Sequence, residues 1–143
     1  MPATVTVDTT TGLTQRVVAG EHELRVDEPK SLGGGGEGPT PYDLLLAALG
    51  ACTSMTLQIY AKRKGWPLFG VVVTLSQDRV HVKDCEDCTT AEGYISEIKR
   101  EIFLQGPLTD EQRQKLLEIA SRCPVHKMLT NEIKVRDTLR PGS

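Results

Sequence analysis

Hydrophobic positions change their spacing several times along the chain, and each change marks an element. Near the start, "TQRVVAG" and "HELRVDEP" mix β-branched residues with charges and predict two strands joined at Ala19-Gly20. A glycine-rich loop follows from Ser31 to Pro41, "SLGGGGEGPTP". The spacing then becomes helical from about Pro41 to Arg63. Thr40 suits the N-cap, Pro41 the first helical position and Asp43 the third, which is the arrangement of a capping box. Leu44, Leu45, Leu46, Ala47, Ala48 and Leu49 make the first half apolar all round, as in a helix covered on every side. In so short a chain, complete cover calls for a second subunit. Gly50 and Ala51 are small enough for close packing against another backbone.

From Leu68 the period shortens. "LFGVVVTLSQDRVHV" is rich in β-branched residues, and "YISEIKREIFL" alternates. Ile98, Ile102 and Leu104 fall on one face, with Glu97, Lys99 and Glu101 on the other, as in a strand wet on one side. The turn-like "KDCEDCTTAEG" between them predicts a long antiparallel hairpin. A second helix opens at Thr109, boxed with Gln112, and runs to about Ser121. Cys123-Pro124 starts a short third helix, and "NEIKVRDTL" reads as a closing strand. Strands segregated from helices indicate an α+β fold in a single domain over residues 1–143.

Composition narrows the function. Only 4% of residues are aromatic, so the core must come from Leu, Ile, Val and Ala. A net charge of -2 with mixed signs leaves no electrostatic footprint for nucleic acid. The start is polar, and the most apolar run, "LLLAALGAC", is far short of the ~20 residues of a membrane span. A soluble cytoplasmic protein, with no nucleic-acid or membrane partner, is the expectation. Gly33, Gly35 and Gly38 match G-x-G-x-x-G, but Pro39 and Pro41 remove amides where a pyrophosphate would want them. No acid follows about 20 residues on, so these read as loop glycines and no cofactor is expected.

Four cysteines carry the remaining chemistry. Without a secretion signal they read as catalytic, metal-binding or buried rather than as a disulfide framework. Cys123, just before a proline at a helix start, sits where a thiolate is stabilised. Cys52 lies deep in the long helix, beyond the reach of its dipole, and an apolar setting alone would leave it inert. It needs a cation from elsewhere in the fold.

"GPTPYDLLLAALGACTSMTL" and "ASRCPVHKML" together resemble the OsmC/Ohr family, the osmotically inducible and organic-hydroperoxide-resistance proteins. The resemblance implies an intertwined homodimer in which antiparallel sheet wraps a buried central helix. It implies a thiol-dependent peroxidase acting on organic hydroperoxides, with Cys52 attacking and Cys123 resolving. The disulfide so formed would be re-reduced by a lipoyl-type or small dithiol. In the family an N-terminal arginine activates the first sulfur, a role that falls on Arg16 or Arg25, with Arg16 favoured by its place in the first hairpin. A glutamate after the helix-starting proline holds that arginine. Here Tyr42 stands in that position and the nearest acid, Asp43, is shifted by one. Asp43 lies ~13 Å from Cys52 along a helix, so it could orient an arginine but not touch the sulfur.

Each of these residues also has a plainer use. Cys52 and Cys123 could be small core residues, Asp43 the acid of the capping box, and His126 a structural histidine. Cys85 and Cys88 lie outside the peroxidase motif. With His81 nearby they could clamp a metal, although a structural zinc site wants four ligands, or they could form a redox-active pair. A non-catalytic dimer that senses redox state or binds a ligand is therefore the competing reading.

Overall fold

A computed structural model describes residues 3–142. The chain forms two compact units divided between Ala47 and Ala48.

In the first unit, β1 (Thr6–Thr11), β2 (Thr14–Ala19) and β3 (His22–Val26) form an antiparallel sheet in the order β1-β2-β3. β2 and β3 match the two predicted strands. β1 was not anticipated, because "TVDTTT" offers no apolar face: five of its six residues are exposed, and it is held by its ladder to β2. Both hairpins turn through glycine with positive φ, 58° at Gly12 and 62° at Gly20, a conformation that costs glycine nothing.

The glycine-rich loop folds around one carboxylate. Asp27 is 2% exposed and accepts from the Thr14 hydroxyl at 2.8 Å and from the N–H groups of Glu28, Gly35 and Glu37. Burial alone would push this carboxyl up, but those donors outweigh it and hold it below the usual carboxylate range. A β-carbon on Gly34 would collide with the Glu28 carbonyl, and one on Gly38 with the Arg25 carbonyl. The glycines thus let the backbone close on Asp27, as loop glycines do, and the amides of Gly35 and Glu37 are spent on a protein acid. Further along, Thr40 and Asp43 form the predicted capping box, with reciprocal bonds of 3.1 and 3.0 Å. It opens α1 (Pro41–Lys64), whose later part belongs to the second unit.

In the second unit, β4 (Gly70–His81) and β5 (Tyr94–Gln105) pair over their full twelve residues, from Gly70↔Gln105 to His81↔Tyr94. A β-carbon on Gly50 would lie 2.7 Å from Leu75 Cδ1, so this glycine sets how closely α1 meets β4. α2 (Asp110–Ile119) starts in the Thr109–Gln112 capping box and ends in a 3₁₀ turn, Ala120–Arg122. α3 (Pro124–Leu129) then begins with proline in its first turn and Cys123 as N-cap. The core gathers Leu57, Ala61, Leu108, Leu116, Ile119 and Ala120, with Tyr60 and Trp66 meeting edge-on at 5.5 Å. Leu57 and Leu116 have no exposed surface, and each such burial stabilises by about 1.5–3 kcal/mol.

Two expectations need correction. "NEIKVRDTL" is not a strand: residues 131–139 hold no regular element, and Val135 and Leu139 are 82% and 96% exposed. A strand exists only where another edge accepts its hydrogen bonds, and among the described residues this segment pairs with none. Nor is the run Leu44 to Leu49 covered on every side, since Leu49 alone of those six is buried. By length and mean hydropathy, 1.5 over 18 residues, α1 could cross a membrane. Leu57 and Ala61 instead place it in the protein core.

Candidate active site

Two sulfurs distant in sequence meet within the second unit. Cys52 projects from α1, half-buried. Cys123 is fully buried and, as the N-cap of α3, accepts the His126 N–H at 3.4 Å. Both are free thiols, and they lie close enough for each to shift the other's acidity. The Cys-Pro sequence makes this possible. Proline fixes the first turn of α3 without needing a hydrogen-bond partner, and the preceding residue is left outside the helix with its side chain turned back over the turn.

The two thiols are driven apart in acidity. Burial would push Cys123 up, but the Cys52 thiol and the N–H groups of His126 and Val125 hold it below an ordinary thiol. Cys52 is pushed up, first by burial and then by its bond to Cys123, against smaller help from the Val125 N–H and Thr56. Of the two sulfurs, Cys123 is therefore the one more readily deprotonated. Helix position alone had pointed to Cys123 as the more acidic sulfur, and to Cys52 as the one in need of a cation.

A cation is present, and sequence reasoning missed it. Arg100 in β5 donates from Nη1 to Thr53 Oγ1 at 2.9 Å and from Nη2 to His126 Nδ1 at 3.2 Å. Thr53 in turn donates to the Leu49 carbonyl at 2.7 Å. Arginine can only donate, so Nδ1 of His126 is an acceptor and the ring proton sits on Nε2. Burial and the Arg100 charge both lower the His126 pKa, which keeps the imidazole neutral. Among the described residues no carboxylate pairs with Arg100, whose guanidinium is held by Thr53 and His126 instead. A signal for it did exist. Alternation along β5 puts Arg100 on the same face as Ile98, Ile102 and Leu104, where an arginine is out of place unless it has work to do.

Beside this network lies a cleft of about 370 Å³, with Leu49, Ile98, Ile102, Leu117 and Leu129 in its walls. Arg100 and His126 also line it, and Thr53 and Cys123 lie one hydrogen bond behind them.

The other candidates lie elsewhere in the chain. Arg16, in β2 of the first unit, pairs with Asp8 at 3.0 Å, and Arg25 lies 3.8 Å from Glu37. Asp43 serves the capping box. Cys85 and Cys88 are joined as a disulfide at the β4–β5 tip. Of side-chain types able to hold a metal, Cys85, Asp87 and Cys88 gather there, with both sulfurs committed to the disulfide. His81 is not among them: its Nδ1 accepts the Lys83 N–H, and its ring lies edge-on to Tyr94.

Residues 34–136 match the sequence profile of the family described as OsmC-like protein. No curated protein sequence matches the chain. Among solved structures, it is similar to an organic hydroperoxide resistance protein from Elizabethkingia anophelis, at 24% identity and a TM-score of 0.66 over 94% of this chain and 91% of that one. An OsmC-like protein from Mycoplasma pneumoniae superposes with a TM-score of 0.72 at 18% identity, covering 90% and 87%. The organic hydroperoxide resistance protein OsmC of Legionella pneumophila gives 0.65 at 18% identity, covering 91% and 90%. At these identities the likeness is one of fold.

Proposed function

Because the chain belongs to the family of OsmC-like proteins, we propose that it is a thiol-dependent peroxidase that reduces organic hydroperoxides through Cys52 and Cys123. The observation that carries this reading is that the two free thiols, distant in sequence, lie near enough to shift each other's acidity in opposite directions. Two of the solved relatives are named as organic hydroperoxide resistance proteins, which agrees with it.

The chemistry follows from the unequal acidity of the two sulfurs. Cys52 is the more exposed sulfur and so the one a peroxide can reach. Passing its proton to the Cys123 thiolate makes Cys52 the nucleophile. It attacks the outer peroxide oxygen, the O–O bond breaks, and the leaving alkoxide takes the proton now held by Cys123. The products are an alcohol, a sulfenic acid on Cys52 and a thiolate on Cys123. That thiolate then attacks the sulfenic sulfur, hydroxide leaves and takes a proton from solvent to become water, and a disulfide forms before irreversible oxidation can follow. A small or lipoyl-type dithiol returns the two electrons. The acidic Cys123 is the better leaving group in that last step.

Arg100 is assigned the activating charge, exerted through Thr53, with Arg16 as the alternative. The apolar walls of the cleft favour an organic peroxide over hydrogen peroxide. We also assign the protein to the cytoplasm as a homodimer. Met55 and Ile59, 64% and 61% exposed on α1, are the apolar surface a second copy would cover.

Purified protein supplied with cumene hydroperoxide and a dithiol should consume peroxide and pass through a Cys52–Cys123 disulfide visible by intact mass. Cys52→Ser should abolish turnover. Undiminished activity in that variant would sink the assignment and leave the non-catalytic dimer as the better reading.

A further inference from the structure

The β4–β5 tip carries a sulfur pair that the proposed peroxidase chemistry does not use. We propose that Cys85 and Cys88 form a second redox couple, a tip disulfide that exchanges with a dithiol donor and works separately from Cys52 and Cys123.

The hairpin does not need this bond. Twelve residue pairs fix its register, and the Val82 N–H closes the end on the Gly93 carbonyl at 3.0 Å. Tyr94 adds an edge contact with His81, at 4.9 Å, and holds the Arg79 guanidinium over its ring at 5.1 Å. The bond spans a sequence separation of only three, with the Cα atoms 5.6 Å apart. Closing so small a loop restricts the unfolded chain far less than a long-range crosslink would. It fastens nothing to the core, because no residue from 82 to 93 is buried. Both cysteines are partly exposed, so a thiol in solution can reach them. A covalent bond that stabilises little and stands open to solvent is suited to exchange.

The tip is also too far away to resolve the oxidised Cys52. Arg100, which bonds to the residue after Cys52, lies six residues along β5 from Tyr94, a span of ~20 Å at strand rise.

The surroundings select the donor. Asp84, Glu86 and Asp87 flank the sulfurs, and Cys85 Sγ lies 3.3 Å from Asp87 Oδ1. Nearby carboxylates disfavour thiolates, so the sulfurs of this bond leave reluctantly. They also repel an anionic attacker such as glutathione. A neutral or cationic dithiol avoids both obstacles, because its second thiol completes the reaction within one molecule. The donor's thiolate attacks one tip sulfur and the Cys85–Cys88 bond breaks. The donor's second sulfur then displaces the first from the mixed disulfide. Two electrons and two protons pass to the tip, and the donor leaves as its own disulfide.

The test uses the full chain carrying Cys52→Ser and Cys123→Ser, so that only the tip thiols report. Protein is equilibrated in mixtures of reduced and oxidised dithiothreitol, quenched with a maleimide and weighed intact. Both tip cysteines should gain label together in one two-electron transition. Glutathione at matched potential should reduce the bond about tenfold more slowly or worse, and Glu86→Gln with Asp87→Asn should narrow that gap. Peptide mapping of label in the unsubstituted chain gives the same readout should the double variant fold poorly. A bond that stays unlabelled at every dithiol ratio until denaturant is added overturns the proposal. So does a pair that remains reduced in air, one that holds zinc, or one that glutathione reduces equally fast. No peroxide enters the experiment, so this inference and the peroxidase reading fail or stand separately.

Discussion

The Nη1 atom of Arg100 lies 2.9 Å from Oγ1 of Thr53, the residue that follows Cys52. A fixed positive charge in the middle of β5 is thereby anchored to the helix residue beside Cys52. Its second branch ends on the His126 imidazole, whose own backbone N–H supports the same sulfur. The helix start holds Cys123 on the acidic side while Cys52 is driven toward its protonated form, and the guanidinium is held by the neighbours of both.

Arg100→Met should therefore lower kcat/KM for an organic hydroperoxide by about tenfold to a hundredfold. The pH midpoint for alkylation of the thiol pair should rise, because the thiolate loses its support and forms only at higher pH. The His126 pKa should rise too, since one of its two depressing influences is gone and burial alone remains. NMR titration of His126 reads this independently of activity. Thr53→Val should reproduce the alkylation shift. Unchanged kinetics and alkylation in Arg100→Met, with a full loss in Arg16→Met, would move the activating role to Arg16.

Asp27 predicts a pH dependence of stability with a definite sign. Its carboxyl is held below the usual range in the folded chain, so the unfolded chain takes up the proton first. The stability it contributes is fully present above the ordinary carboxylate value of about 3.9 and is lost as pH falls through the lower, folded value. Asp27→Asn should lower the Tm by several degrees near neutral pH, with the deficit shrinking in acid. Thermal melts over a pH series check this, and a deficit that stays constant into acid would contradict it.

The proposed dimer predicts that Ile59→Asp reduces association. On α1, Ile59 lies four residues after Met55, so the two share one face of the helix. Light scattering on a sizing column should give twice the chain mass for the parent and a concentration-dependent fall toward one chain for the variant. A parent protein that stays monomeric at every concentration would refute the assignment.

Much of this architecture was legible in the sequence. Two capping boxes, the proline that opens α3 and the alternation of β5 are local features, set by residues within one or two turns of each other, and they occur where the residue pattern put them. β1 was missed because an edge strand can be polar on both faces and rely on its ladder alone. The closing segment failed for the opposite reason, having a strand's composition but no edge to join. The pairing of Cys52 with Cys123 came from family resemblance, since no spacing rule joins residues so far apart. Arg100 was overlooked because only the apolar members of its face were counted. Its partners, Thr53 and His126, lie far away along the chain.

The alternation of β5 also ties the fidelity of folding to chemistry. If the two hairpin strands slid by a single residue, Ile98 and Ile102 would swing into water and Arg100 would go with them. One mistake would thus spoil the greasy lining and disarm the sulfurs at the same time. A misaligned copy would be inactive as well as unstable, so an assay of turnover would also count how many molecules had zipped correctly.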